Sequence, residues 1–203
     1  RVGMHEDFTG HWVLIPRSRR GLNPKELTVA EVLKSKGYVT ACVGKWHLGD
    51  QPQHLPTEHG FDYYFGIPYS NDMQSARRGD PPLPLVKQAA VIEAPADQAT
   101  LTRRYTEQVI SFIENNQATP FFVYLPHTMP HTRLAATDQF KGKSKRGLYG
   151  DVIEEIDFNV GRILDAVEEM GLSKNTYVLF TSDNGPWLIK NKNHQDGNLP
   201  GDH

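Results

Sequence analysis

A chain of 203 residues with 38% hydrophobic and 23% charged side chains has the composition of a globular protein rather than of a disordered segment. Its 22 basic and 24 acidic residues give a net charge of -2, without the positive excess typical of proteins that bind nucleic acid or anionic membranes. No run of 18 apolar residues occurs, so the sequence offers no candidate transmembrane helix.

The first predicted elements are a short helix and a strand. Thr28 and Glu31 form a capping-box pattern at the start of the helix, and Gly37 is a typical helix stop. The apolar run 38–43 follows and predicts a strand. The chain's single cysteine, Cys42, lies in this run and is expected to be a buried apolar residue, because a nucleophilic thiol would need a partner that stabilises the thiolate.

The rest of the chain predicts alternating helices and strands after an interruption. Residues 50–95 contain many prolines and turn formers and predict an irregular excursion. Amphipathic helices are predicted over 101–116 and 149–170. The apolar runs 121–125 and 177–181 are typical of strands buried on both faces. This order predicts an α/β fold with a largely parallel sheet sandwiched by helices, since such crossovers are nearly always right-handed.

Polar side chains of catalytic type follow each of the three predicted strands. In chain order, these groups are Lys45 with His47, His127 with His131, and Asp183 with Asn184. Ligands of parallel α/β proteins bind beyond the carboxyl ends of the strands. We therefore expect the three groups to converge on one pocket.

The chemistry of these groups suits an anionic ester. Asp183 and Asn184 offer hard oxygen donors for Ca²⁺ or Mg²⁺, although Asp-Asn-Gly is also a common turn sequence. Lys45 can hold a cluster of anionic oxygens as a point charge. His47 or His131 can transfer protons near neutral pH, but each histidine taken singly is also compatible with an ordinary surface position.

Two common kinds of site are excluded, and a Ser-His-Asp triad, which stays open, lacks its usual motif. The pair Gly44 and Lys45 does not belong to a P-loop, because Trp46 stands where serine or threonine is required. The sequence has no cysteine pair and no His-Glu-x-x-His pattern for zinc. It also lacks the Gly-x-Ser-x-Gly elbow of serine hydrolases.

Segment 37–49 reads Gly-Tyr-x-Thr-x-x-Val-Gly-Lys-Trp-His-x-Gly and closely resembles the second signature of the sulfatases. Segments 66–72, 126–131 and 181–186 also resemble blocks of this family and occur in the family's order. The resemblance extends over nearly the whole chain, from residue 1 to about residue 188. It implies part of an alkaline-phosphatase-like fold and the metal-assisted hydrolysis of sulfuric esters.

The resemblance also implies roles for the residues around the sulfate group. Asp183 and Asn184 would be ligands of a divalent cation, usually calcium with magnesium as the alternative, that grips a sulfate oxygen. Lys45 would contact the sulfate and the nucleophile. His47 would hydrogen-bond the hydroxyl of the nucleophile and help to expel the product.

Two further residues would face the substrate. The resemblance implies that Ser70 touches the sulfate and that His131 contacts the ester oxygen and helps the leaving group to depart. His127 is expected to lie behind these residues. Arg133 stands where relatives often have proline, so the path of the loop after His131 is expected to differ.

Sulfatases attack sulfur with a formylglycine that is made from a Cys/Ser-x-Pro-Ser-x-Arg motif, and no such motif occurs here. Residues 16–19 resemble it only in part, because Leu14 stands two positions before Pro16. The family's paired acidic metal ligands and its later sulfate-binding lysine are also missing. We therefore predict that residues 1–203 are the central part of one catalytic domain, truncated at both ends and inactive alone.

Other hypotheses remain open at this stage. A phosphatase or phosphonate hydrolase of the same superfamily would share the sheet and the metal, and a non-catalytic binding scaffold would need neither nucleophile nor turnover. For a sulfatase, the resemblance implies a small-molecule or glycan sulfate ester as substrate and a formylglycine-generating enzyme as maturation partner. It also implies a periplasmic, extracellular or lysosome-like location.

Overall fold

The computed structural model describes residues 13–74 and 79–183. Within these residues the strands are β1 Val39–Lys45, β2 Tyr63–Ile67, β3 Leu85–Lys87, β4 Ala90–Glu93 and β5 Phe121–Tyr124. The α-helices are α1 Val29–Lys34, α2 Leu101–Asn115 and α3 Gly147–Glu169. None of the helices in this part of the chain is long and apolar enough to cross a membrane.

Helix α1 begins as its capping-box pattern predicts. The hydroxyl of Thr28 accepts a hydrogen bond from the amide of Glu31 at 3.1 Å, and the Glu31 carboxylate accepts one from the Thr28 amide at 2.7 Å. Two of the amides that a helix start leaves without partners are thereby satisfied. The helix then ends at Lys34, and the left-handed Gly37 (φ 86°) turns the chain into β1.

The five strands form one mixed sheet in the order β4-β3-β2-β1-β5. Strand β1 is flanked by two parallel neighbours, β2 and β5, whereas β3 and β4 add to β2 in antiparallel fashion. The α/β fold with a parallel centre is confirmed. The prediction of an irregular excursion over residues 50–95 missed three strands, because β2, β3 and β4 lie there as strands of three to five residues between prolines.

The two faces of the sheet are covered by different parts of the chain. Alternate residues of β1 point to opposite sides, so Ala41 and Val43 pack with α2 residues such as Tyr105, while Cys42 packs with the N-terminal segment around Leu22. Cys42 is fully buried, and burial raises the pKa of its thiol, which confirms its interpretation as a core residue.

The strand predicted over 177–181 is not formed. Tyr177 is 97% exposed and Leu179 is 93% exposed, and this stretch pairs with no strand among the described residues. The apolar pattern predicted burial on both faces, but no described element covers the segment. The segment therefore has the sequence of a buried strand, but its side chains are exposed among the described residues.

Helix α3 fixes the loop before it through a buried carboxylate. The Asp151 side chain accepts hydrogen bonds from the backbone amides of Gly142, Lys143 and Ser144 at 2.7–3.0 Å. Burial alone would raise the pKa of Asp151, but the three amide bonds outweigh that effect and lower it. The basic loop 141–146 is therefore anchored to the helix at its backbone.

Replacing Asp151 by asparagine is expected to lower the free energy of unfolding by about 1–3 kcal/mol at pH 7, because a charged acceptor of three amides is lost. Since the folded-state pKa of Asp151 is lowered, its stabilisation is complete above the unfolded-state pKa and is lost as pH falls through the folded-state pKa. Urea unfolding at pH 7 and in acid measures this. Asp157→Asn, at an exposed position of the same helix, is the control. If the loss of stability in Asp151→Asn were the same at pH 7 and in acid, the stabilisation could not come from the charge of Asp151.

Candidate active site

Backbone hydrogen bonds tie together the loops that follow β1, β2 and β5. The Lys45 amide donates to the carbonyl of Pro126 at 2.8 Å, and the His47 amide donates to the carbonyl of Pro68 at 3.1 Å. Pro126 follows β5 and Pro68 follows β2, so residues from three parallel strands meet at one edge of the sheet. This is the edge at which parallel α/β proteins bind ligands.

Lys45, the last residue of β1, is a part-buried cation with two acidic neighbours. Burial lowers the pKa of its ammonium group, whereas the negative charges of Asp183 and Asp72 raise it. Asp183, which follows the uncovered segment 177–181, therefore lies within electrostatic range of Lys45. A part-buried lysine with carboxylates around it is a local positive charge suited to an anionic group.

His47 is held in an uncommon backbone conformation. Its φ of 57° lies in the left-handed region, which costs a non-glycine residue on the order of 1 kcal/mol. Its Nε2 donates to the carbonyl of Leu14 at 3.0 Å, so Nε2 carries the proton in this contact. Burial lowers the pKa of His47, as do the charges of Lys45 and His131, while the Leu14 bond and Asp72 raise it.

Ser70 and His131 connect the loops after β2 and β5. The Ser70 hydroxyl lies 3.5 Å from Nδ1 of His131, and Nδ1 also contacts the carbonyl of Thr132. Because a carbonyl oxygen only accepts hydrogen bonds, Nδ1 is the donor to Thr132. This arrangement leaves Nε2 as the ring atom through which His131 can exchange a proton with another group.

His127 behaves differently from the other predicted histidines. Both of its ring nitrogens are buried and have no hydrogen-bond partner among the described residues. Burial lowers the pKa of His127 to about 4, so the ring is neutral near pH 7. A neutral, enclosed imidazole suits a supporting position better than proton transfer.

Two residues next to Ser70 were not assigned a role from the sequence. Asn71 is fully buried, and its side-chain amide donates to Gln98 at 2.9 Å and to the carbonyl of Arg133 at 3.0 Å. Asn71 thus joins the Ser70 loop to the loop that carries His131. Asp72 places a negative charge near Lys45 and His47. Neither residue has a chemical signature in the sequence beyond its place in segment 66–72.

The structure brings together most of the predicted site residues. Lys45 and His47 follow β1, Ser70 follows β2 and His131 follows β5, and hydrogen bonds or electrostatic interactions link these residues. Asp183 joins the group through its effect on Lys45. Asn184 lies outside the described residues.

Comparison with known families places this arrangement in context. The sulfatase family model matches residues 3–202, which is nearly the whole chain. The chain belongs to the sulfatase family.

Curated sulfatases resemble the chain over part of their own length. N-acetylgalactosamine-6-sulfatase of Mus musculus is 39% identical over 191 residues, which cover 89% of this chain and 37% of that protein. An arylsulfatase of Hemicentrotus pulcherrimus is 38% identical over 188 residues, covering 86% of this chain and 34% of that protein. The chain therefore spans about a third of the length of these sulfatases.

Solved structures support the same fold. A Bacteroides thetaiotaomicron protein from work on glycosaminoglycan metabolism aligns with 91% of this chain and 51% of its own, with a TM-score of 0.79 and 24% identity. Ps i-CgsB in complex with k-i-k-neocarrahexaose aligns with 79% of this chain and 41% of its own, with a TM-score of 0.64 and 26% identity. The fold described here is thus shared with part of these longer chains.

A sulfatase is expected to hold a divalent cation, and the described residues offer few ligands for one. No group of three or more His, Cys, Asp or Glu side chains in residues 13–74 and 79–183 could hold a metal ion. The Asp183 carboxylate beside Lys45 does fit one hard oxygen ligand of a Ca²⁺ or Mg²⁺ ion. The described residues thus offer one ligand of the expected type rather than a complete site.

Two paired glycines allow the strand ends to approach this closely. Gly44 of β1 lies opposite Gly66 of β2. A Cβ atom on Gly66 would lie 1.8 Å from the Gly44 carbonyl oxygen, and one on Gly44 would lie 2.1 Å from the Pro126 carbonyl oxygen. Gly44 also has a φ of 136°, which side chains rarely adopt. Any side chain at these positions would push the three loops apart.

Gly66→Ala is expected to lower the free energy of unfolding by at least about 1–3 kcal/mol, because the added methyl group collides with backbone rather than with a flexible side chain. Gly161→Ala is the control, since its Cβ would meet nothing within 4 Å and helical alanine is favoured over glycine by about 1 kcal/mol. Urea unfolding measures both. Equal stability of the two variants would contradict the packing account.

Proposed function

We propose that the protein containing this chain hydrolyses sulfate esters at the carboxyl edge of its parallel strands. The observation that carries the proposal is the convergence of Lys45, His47, Ser70 and His131 in a chain of the sulfatase family. The named relatives are sulfatases, which favours this activity over phosphate or phosphonate hydrolysis and over a non-catalytic scaffold.

Lys45 supplies positive charge to the sulfuryl oxygens in this proposal. Its position is supported by two carboxylates, Asp183 and Asp72, which oppose the effect of burial and favour the charged ammonium. A charge fixed before the substrate arrives stabilises the transition state more than a solvated charge does, because no reorganisation is needed during the reaction. Ser70 contacts the same sulfate group from the neighbouring loop.

The two histidines have separate roles. His131 donates its Nδ1 proton to the Thr132 carbonyl, which directs Nε2 towards the substrate, and the doubly protonated ring would then pass the Nε2 proton to the departing ester oxygen and be left as the neutral Nδ1–H form. His47 is part-buried within electrostatic range of Lys45 and His131, and in the longer protein it would hydrogen-bond the hydroxyl of the nucleophile. The contact between His47 Nε2 and Leu14 supports this role, because it shows Nε2 acting as a hydrogen-bond donor.

A divalent cation, Ca²⁺ with Mg²⁺ as the alternative, completes the proposed site. Asp183 and Asn184 would contribute oxygen ligands, and the remaining ligands would come from other segments of the longer protein. Such a cation supplies Lewis-acid stabilisation of charge on the sulfate oxygens when bound. The proximity of Asp183 to Lys45 supports this placement.

The proposed substrate is a sulfated glycan or a smaller sulfate ester. The support lies in relatives named for sulfated amino sugars and in a similar structure that holds neocarrahexaose. The nucleophile would be a formylglycine from a segment outside residues 1–203, produced by a formylglycine-generating enzyme. A periplasmic, extracellular or lysosome-like location accompanies this proposal.

Purified residues 1–203 are expected not to hydrolyse 4-nitrocatechol sulfate, because they contain no Cys/Ser-x-Pro-Ser-x-Arg motif to provide the nucleophile. Release of 4-nitrocatechol is followed by absorbance with and without added Ca²⁺. A heat-denatured sample and a complete sulfatase serve as the two controls. Enzyme-dependent turnover by residues 1–203 would show that another group in this chain can attack sulfur.

In the longer protein, Lys45→Ala and His131→Ala are each expected to lower kcat/KM for an aryl sulfate by at least about 10²-fold, the usual effect of losing a charge-stabilising or acid–base group. Lys36→Ala removes an exposed positive charge and is the control. The loss in the His131 variant should be smaller for substrates with acidic leaving groups, which need less protonation. A change below threefold in either site variant contradicts its assigned role.

A further inference from the structure

The loop that carries His131 is attached to other elements on both sides of the histidine. Before it in the chain, the hydroxyl of Thr128 hydrogen-bonds the hydroxyl of Tyr105 in α2 at 2.9 Å, and both residues are buried. After it, the Arg133 carbonyl accepts a hydrogen bond from the Asn71 side chain at 3.0 Å. The histidine therefore lies between two attachment points.

Asn71 is joined to the start of α2 by a reciprocal pair of amide hydrogen bonds. Its Nδ2 donates to Oε1 of Gln98 at 2.9 Å, and Nε2 of Gln98 donates to the backbone carbonyl of Asn71 at 3.3 Å. The carbonyls of Arg133 and Asn71 can only accept hydrogen bonds, so they determine the orientation of both side-chain amides. Gln98 begins the 3₁₀ turn that leads directly into α2. Both attachments of the His131 loop thus lead to the same helix.

The start of α2 is itself held in place. The Asp97 carboxylate accepts a hydrogen bond from the Ala99 amide at 3.1 Å, and the Asp97 amide donates to the Glu93 carboxylate at 2.7 Å. Glu93, the last residue of β4, also forms an ion pair with Arg104 of α2 at 2.6 Å. Asn71 is therefore attached to a part of the fold that is fixed to the sheet.

Asn71 uses its side chain as a donor at the expense of its acceptor. The residue is fully buried, and both contacts of its side chain are made through Nδ2. Its Oδ1 atom is buried and has no hydrogen-bond partner among the described residues. An unpaired buried oxygen costs roughly 1–3 kcal/mol. The two donated bonds are thus the interactions that account for an asparagine at this position.

We propose that Asn71 is a positioning residue of the candidate site, whose side-chain amide holds the loop after β5 to the start of α2 so that His131 stays opposite Ser70. The Ser70 hydroxyl lies 3.5 Å from Nδ1 of His131 in this arrangement. Asn71 itself need not touch the substrate. The inference rests on the proposed function for its catalytic meaning, but the state of the His131 ring can be measured without turnover.

The first experiment compares Asn71→Ala with the unmodified longer protein on an alkyl sulfate and on 4-nitrocatechol sulfate, whose leaving group is more acidic. A displaced His131 protonates the leaving group poorly. We therefore expect kcat/KM to fall at least about tenfold for the alkyl ester and by a smaller factor for the aryl ester. A merely structural role would lower the amount of active enzyme and reduce both rates by the same factor.

Asn115→Ala, at an exposed position of α2, is the matched control for this comparison. Equal losses for the two esters in Asn71→Ala overturn the proposal, as does a loss no larger than that in the control.

The second experiment follows the His131 ring by ¹⁵N NMR in the longer protein labelled with ¹⁵N-histidine, in alkaline buffer that keeps imidazole rings neutral. His131→Gln identifies the signals. The unmodified protein is expected to show the Nδ1–H tautomer, because Nδ1 donates to the Thr132 carbonyl. Asn71→Ala should release the loop and raise the share of the Nε2–H tautomer. An unchanged share overturns the proposal.

Gln98→Ala decides the case in which Asn71→Ala does not fold. Gln98 is only part-buried, and its truncation removes the support of Asn71 while the bond to Arg133 can remain. A loss that is again larger for the alkyl ester is expected, and equal losses for the two esters overturn the proposal. Absence of hydrolysis of either ester by the unmodified longer protein would refute the proposed function and leave the ¹⁵N measurement unaffected.

Discussion

Three backbone hydrogen bonds between neighbouring strand ends hold the candidate site together: Lys45 to Pro126, Trp46 to Ile67 and His47 to Pro68. They extend the parallel pairing of β1 beyond its last ladder residue, so the loops begin in fixed positions. The contacts depend on the absence of side chains at Gly44 and Gly66. The site side chains can therefore come together only because the backbones of these strand ends lie so close to each other.

Burial and neighbouring charges have opposite effects on the pKa values of the ionisable groups in the site. Burial disfavours the charged forms of Lys45 and His47, and the positive charge of Lys45 also lowers the pKa of His47. Asp72 and Asp183 act in the opposite direction on Lys45 and raise its pKa. A sulfate group entering such a site would meet positive charge that the protein has already oriented. This pre-organisation is what distinguishes the arrangement from a set of surface charges.

The sequence predicted an element correctly where the element depends on interactions between residues that are close along the chain. The capping box at Thr28 and the amphipathic periodicity of α2 and α3 depend on neighbouring residues, and these elements formed as predicted to within a few residues. The strands β2 to β4 were missed because they are too short to show periodicity between prolines. The prediction of a strand over 177–181 was wrong because an apolar pattern indicates that a segment is suited to burial, but it does not show which strand or helix would cover it.

In the candidate site, too, some residues could be predicted from the sequence and others could not. Lys45, His47 and His131 could be selected because lysine and histidine at strand ends have recognisable chemistry. Ser70 was found through the family resemblance alone. The significance of Asn71 depends on which groups surround its side-chain amide, and that follows from the tertiary arrangement of two loops rather than from any spacing along the chain.

The uncovered segment 177–180 has a consequence for handling the chain. Its side chains are Tyr-Val-Leu-Phe, without charge or proline, and all four are largely exposed. Among the described residues, β5 also lacks a strand on its outer edge. An exposed apolar β-forming stretch in a molecule with an open sheet edge is a recognised starting point for self-association. We therefore expect this surface to favour self-association of residues 1–203, and a charged substitution at Leu179 to oppose it.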